Sequence, residues 1–175
     1  MDNKKKIKMN NIAIKEILSG DIGLYKIFLE TALKSDKENL LITPRDNSVA
    51  PFPTKDRNDS FTLGAYAENT LAGIVSFARD GDDREKLRHK GTISTMYVSK
   101  EFRDRGIAKV LLEELIKRVK TISDIEQINL IVIADNSRAK KLYESFGFEK
   151  YGTEVNSIKW EGKYFSEDLM VLRFK

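Results

Sequence analysis

A chain of 175 residues, 41% hydrophobic and 33% charged, has the size and balance of one folded domain, with enough apolar content for a core that needs no disulfide or metal. No apolar run is long enough to cross a bilayer, and cysteine is absent, which excludes disulfides, thiolate-bound zinc and a cysteine nucleophile. The net charge of +4, from 31 basic and 27 acidic residues, suits a small anionic ligand; bases and acids are interleaved, so specific nucleic-acid binding is not expected.

Residues 1 to 9 read as a basic, solvated tail carrying Lys4, Lys5 and Lys6. No apolar stretch or small-residue cleavage site follows, so the tail is not a signal peptide, and a cytoplasmic location without membrane attachment is expected. NIAIKEI alternates as a first strand, and apolar residues recur at helical spacing from Ile22 to Leu33. SDKENLLITPRDNSVAPFPTKDRND holds all three prolines, which predicts a short helical piece around residues 36 to 41 and then a long loop. FTLGAYAE and TLAGIVSFAR, on either side of Asn69, predict a hairpin. The polar segment DGDDREKLRHKG contains the single histidine, His89, in a charged setting that offers no partner for metal or triad chemistry.

TISTMYVS, residues 92 to 99, predicts a strand, and RDRGIAKVLLEELIKRVK, residues 103 to 120, a glycine turn followed by an amphipathic helix. Ala108, Leu111, Leu112, Leu115, Ile116 and Val119 share one face of that helix. INLIVIA, residues 128 to 134, is almost wholly apolar, as a strand covered on both faces is; residues 92 to 134 therefore predict a β-α-β unit with a parallel pair. DNSRAKKLYESFGF predicts a short helix with Asp135 or Asn136 as N-cap, a stripe of Ala139, Leu142, Tyr143 and Phe146, and Gly147 at its C-terminal end. EVNSIKW, a turn at Glu161 and Gly162, and KYFSEDLMVLRFK predict a closing antiparallel hairpin.

The turn before the helix at residue 107 is the part of this pattern that suggests a ligand. The first turn of a helix leaves backbone N–H groups unpaired, and the helix dipole favours an anion there. Small residues at Gly106 and Ala108 leave room for a phosphate to approach, and Arg103, Arg105 and Lys109 add positive charge. Taken alone, Gly106 is better explained as a tight strand-to-helix turn. The Walker pattern GxxxxGK[ST] and the dinucleotide pattern GxGxxG are both absent.

RDRGIA, residues 103 to 108, resembles the [RQ]xxGx[GA] signature of the GCN5-related N-acetyltransferase (GNAT) superfamily, and NSRAKKLYESFGF, residues 136 to 148, is similar to its second signature, NxxAxxLYxxxGF. The resemblance implies an α/β fold: a mixed, mostly antiparallel sheet with helices on both faces and a central parallel strand pair splayed for the cofactor. It implies acetyl-CoA as cosubstrate and no metal. The pantetheine arm would lie between residues 92 to 98 and 128 to 134, along Met96 and Val98, with the pyrophosphate on residues 105 to 109: Arg105, Gly106, Ile107, Ala108 and Lys109. Arg103 and Asn136 carry over as further cofactor contacts, although Asn136 is also a good N-cap.

Acetyl transfer needs a neutral amine, a stabilised oxyanion and help for the departing thiolate. The resemblance assigns the thiolate to Tyr143 and the oxyanion to the backbone N–H of Val98. TISTMYVS contains no carboxylate to serve as general base, which leaves Glu68, Glu154 and Glu167 as candidates, directly or through water. The expected acceptor is a primary amine of a small molecule or peptide, attacked within a ternary complex. A protein lysine or N-terminal acetyltransferase and a non-catalytic CoA-binding regulatory module are the alternatives on the same fold. A homodimer is compatible with the resemblance.

Overall fold

The computed structural model describes residues 12–37 and 40–174, so the basic tail expected at residues 1 to 9 lies outside the described residues. Among the described residues, seven strands form one sheet in the order β1-β2-β3-β4-β5-β7-β6. They are β1 (Ile12–Ile17), β2 (Ser60–Ala67), β3 (Thr70–Arg79), β4 (Lys90–Val98), β5 (Gln127–Ile133), β6 (Glu149–Trp160) and β7 (Lys163–Arg173). Each neighbouring pair is antiparallel except β4 and β5, which are parallel. The helices are α1 (Ile22–Asp36), α2 (Pro44–Val49), α3 (Ile107–Val119) and α4 (Ser137–Ser145).

Strand alternation divides the side chains between two apolar layers. Val75, Phe77, Ile128, Leu130, Val132 and Met170 point to one face, where they meet α3 and the Tyr143 and Phe148 rings. Ile17, Ile74 and Tyr97 point to the other, where Tyr25, Leu29 and Ala32 of α1 cover them. The expected mixed, mostly antiparallel sheet with helices on both faces is thus the fold that forms. The stripe foreseen on α3 carries its packing: Leu111, Leu112, Leu115 and Val119 are fully buried, and each contributes about 1.5–3 kcal/mol by leaving water. No helix among the described residues is long and apolar enough to cross a membrane.

Three expectations are corrected. The prolines of residues 44 to 53 do not mark a continuous loop, because Pro44–Val49 is the helix α2. Pro44 occupies its first turn, where its missing N–H costs nothing, and Thr43 and Asp46 close a reciprocal capping box. The helical piece expected around residues 36 to 41 does not form as a separate element: α1 runs on to Asp36, Leu40 and Leu41 are not helical, and residues 38 and 39 are outside the described set. The closing hairpin also starts earlier than its alternation suggests. β6 begins at Glu149, and its register against β7 shifts twice, between Lys150 and Gly152 and between Glu154 and Ile158, which hides the period of two.

Candidate active site

The parallel pairing of β4 and β5 lasts only from Lys90↔Gln127 to Ile93↔Leu130. Beyond that point the strands part, at a bulge where the β3–β4 register passes from Phe77↔Ile93 to Ser76↔Thr95. The amide of Ser99 donates to the Ala72 carbonyl at 3.0 Å, and Gly73 lies opposite Val98. In an antiparallel ladder, hydrogen-bonded and non-hydrogen-bonded pairs alternate. Val98 and Met96 are therefore in non-hydrogen-bonded pairs with β3, and their N–H and C=O groups face the gap left by β5.

A cavity of about 370 Å³ occupies this opening. Met96, Val98, Arg103, Gly106, Ile107, Ala108, Lys109, Asn136 and Tyr143 all line it, together with Tyr97, Phe102, Asp104 and Arg138 and with Ala139 and Leu142 of the α4 stripe, none of which sequence reasoning assigned to the site. Arg105 does not line it; its guanidinium lies 5.3 Å from the Phe102 ring centre. A second space of about 110 Å³ shares Met96, Asn136, Ala139 and Tyr143 with the first. It is walled by Thr95, Ile131 and Ile133 from the parted strands and by Leu29, Leu40, Leu41 and Ile42 from the α1 side. The two form one cleft that passes between β4 and β5 from the N-terminus of α3 to the α1 side of the sheet.

Local folding explains how each lining group is held. Gly106 caps α3 at φ +77°, a left-handed conformation that glycine adopts without strain, and no side chain caps the helix. Its first-turn N–H groups are thus left for a ligand or water. Asn136 caps α4 by accepting from the Ala139 amide at 3.1 Å. At the other end of α4, Phe148 N–H donates to the Tyr143 carbonyl and Gly147 N–H to that of Glu144, the pairing of a Schellman motif with Gly147 at φ +89°. Tyr143 is buried, and that burial pushes its phenol up to about 12. It is a neutral hydrogen-bond donor throughout the physiological range.

The charged groups divide into committed and uncommitted ones. Arg103 donates from Nε to the Val98 carbonyl at 3.1 Å and pairs through Nη2 with the Asp36 carboxylate. Arg138 bridges to Asp104 at 2.9 Å across the cavity, and Lys109 lies exposed beside Glu113 at 3.8 Å. None of the three candidate bases is in the cleft lining. Glu68 is exposed in the β2–β3 turn, whereas Glu154 and Glu167 face each other across β6 and β7, with Glu167 opposite Ile133 of β5. His89 precedes β4, away from the cleft lining.

Residues 20–148 match the acetyltransferase (GNAT) family. The chain belongs to that family. The L-amino acid N-acetyltransferase AaaT of Escherichia coli is 33% identical over 109 residues, 62% of this chain and 65% of that enzyme, so the match spans a little under two thirds of the relative. A GNAT acetyltransferase structure from Streptococcus pneumoniae superposes with a TM-score of 0.76 at 25% identity, covering 93% of this chain and 99% of that one. The YncA structure from Salmonella typhimurium, solved with acetyl-CoA, has a TM-score of 0.74 at 15% identity over 94% of each chain, a likeness of fold. Both signatures of this GNAT chain, RDRGIA and NSRAKKLYESFGF, border the cleft between the parted strands.

Proposed function

We propose that this GNAT chain is one catalytic domain, a cytoplasmic N-acetyltransferase that moves the acetyl group of acetyl-CoA to a primary amine of a small molecule or peptide. The observation that carries the reading is the cleft: a row of outward-facing backbone groups on Met96 and Val98 leads from an uncapped helix N-terminus to an apolar exit on the α1 side. A cosubstrate with an anionic end, an amide-bearing arm and a reactive tip fits that sequence of surfaces. Gly106 to Lys109 would receive the phosphates, and Met96 and Val98 would pair with the arm as a substitute strand.

Acetyl-CoA, when bound, supplies an activated acetyl thioester. The Val98 N–H, which faces the gap between the parted strands, would donate to an oxyanion, and Tyr143, which lines the cleft, would donate to a developing thiolate. Because the Tyr143 phenol, at about 12, is a weaker acid than a thiol at about 8.5, its role is a hydrogen bond to sulfur, with no outright proton transfer. The neutral amine enters from the α1 side, its nitrogen bonds to the acetyl carbon as the carbon–sulfur bond breaks, and its proton leaves through water. With no cysteine in the chain, attack within a ternary complex is the simplest course.

Thiol release from acetyl-CoA, followed with a dye reagent across amino acids, polyamines, aminoglycosides and short peptides, tests this reading. An amine that releases thiol in proportion to enzyme supports it and names the acceptor class. A protein that binds acetyl-CoA yet turns over with no amine of the panel overturns the small-acceptor reading in favour of a protein acceptor or a regulatory module. Failure to bind acetyl-CoA overturns it altogether.

A further inference from the structure

Asp36 is 1% exposed, at the last turn of α1, and a carboxylate so placed is costly unless it is paired. Two of its partners come from the segment after β4. Arg103 Nη2 pairs with Oδ2, and Lys100 Nζ lies 3.4 Å from Oδ1 while also donating to the Ser35 carbonyl. The negative end of the α1 dipole favours both cations there. Arg103 does not stop at Asp36. Its Nε reaches the Val98 carbonyl at 3.1 Å, and its guanidinium lies 5.5 Å from the Tyr97 ring centre.

The Val98 carbonyl is one of the groups that the parting of the strands deprives of a ladder partner. It faces away from β3, and β5 has already diverged. Arg103 supplies the missing donor, using the planar fork that lets one guanidinium serve two acceptors at fixed angles. The same peptide row carries the Val98 N–H.

We propose that Asp36 is a positioning residue that turns Arg103 into a strut between the end of α1 and the end of β4. On this assignment Arg103, the first arginine of RDRGIA, is not a phosphate ligand. Its charge is spent on Asp36 and its reach on Val98, so it sets the geometry of the strand edge along which the cosubstrate arm lies, while Lys109 and the α3 N-terminus receive the anion. The inference rests on the acetyl-CoA placement proposed above.

Calorimetric titration of acetyl-CoA at low and high salt, with full-length Asp36→Asn, Arg103→Gln, the double variant and Lys109→Gln, tests it. Asp36→Asn and Arg103→Gln each weaken binding about tenfold, and the double variant stays near tenfold where independent effects would multiply to about a hundredfold. Arg103→Gln keeps the wild-type salt dependence, whereas Lys109→Gln flattens it, because screening acts on the charge that faces the phosphates. Multiplying losses, or a flattened salt dependence in Arg103→Gln, would make Arg103 a phosphate ligand and overturn the strut.

Should Asp36→Asn not fold, Arg103→Lys decides: it retains the charge beside Asp36 but cannot also hold Val98, and is expected to show the same tenfold loss. Wild-type affinity in a folded Arg103→Lys protein overturns the proposal. A wild-type protein that does not bind acetyl-CoA would instead refute the placement on which the role depends, so the two failures are distinguishable.

Discussion

The rings of Tyr143 and Phe148 lie 5.7 Å apart, centre to centre, and one backbone motif puts them there. Phe148 donates its N–H to the Tyr143 carbonyl as the chain leaves α4 through Gly147, so the turn that ends the helix also fixes the tyrosine at the cleft. The Tyr143 hydroxyl has no hydrogen-bond partner among the described residues. Tyr143→Phe should therefore leave urea stability within about 1 kcal/mol of wild type. Turnover should fall about 10²-fold with acetyl-CoA affinity nearly intact, the loss expected for one donor aimed at developing charge. Unchanged kcat would remove Tyr143 from the chemistry.

The same burial makes a prediction about pH. The folded phenol titrates at about 12, above the ordinary tyrosine value of about 10, so between these values the folded state holds a proton that the unfolded state has lost. Stability contributed by Tyr143 is thus full below pH 10 and declines as pH rises toward 12. Ultraviolet difference titration should show a late-ionising tyrosine that disappears in Tyr143→Phe. If the component lost in that variant titrates near 10, the phenol is not buried as described.

Gly106 tests the anion cradle. At φ +77° a β-branched residue is strained, and the branch would stand at the mouth of the α3 N-terminus. Gly106→Val should weaken acetyl-CoA at least about tenfold by calorimetry while Gly106→Ala, smaller but also strained, loses less. Equal affinity for all three proteins would place the phosphates elsewhere.

The signatures and the helical stripes were legible because each is local. A Gly-small turn in front of α3, an asparagine cap and a glycine stop around α4 announce themselves within a few residues. The register that turns Val98 and Met96 toward the gap is a relation between β3 and β4, and the parting from β5 depends on a bulge; neither leaves a mark in a single strand. Thr43 and Asp46 did carry the signal for α2, hidden under the prolines that follow. Asp36 could not have been found: an aspartate at a helix end reads as solvent-facing until Arg103, 67 residues on, is brought to it.

Asp168 is a second carboxylate of this hidden kind. It is buried on β7 opposite Val132, accepts from Thr153 Oγ1 at 2.7 Å and Lys140 Nζ at 2.9 Å, and has Lys150 at 3.5 Å. Hydrogen bonds from Thr153 and Lys140 hold its carboxyl below the usual aspartate value. Lys140 belongs to α4, one turn before Tyr143, so this contact anchors the helix that carries the tyrosine. A depressed carboxylate adds stability that is present above the unfolded value of about 3.9 and lost as pH falls through the folded one. Asp168→Asn keeps the shape and removes the charge. It should cost about 1–3 kcal/mol in urea unfolding at pH 7, and the gap to wild type should close as pH is lowered below about 4. A gap that persists at pH 2.5 would trace the loss to packing, and no gap at pH 7 would mean that α4 is held without this pair.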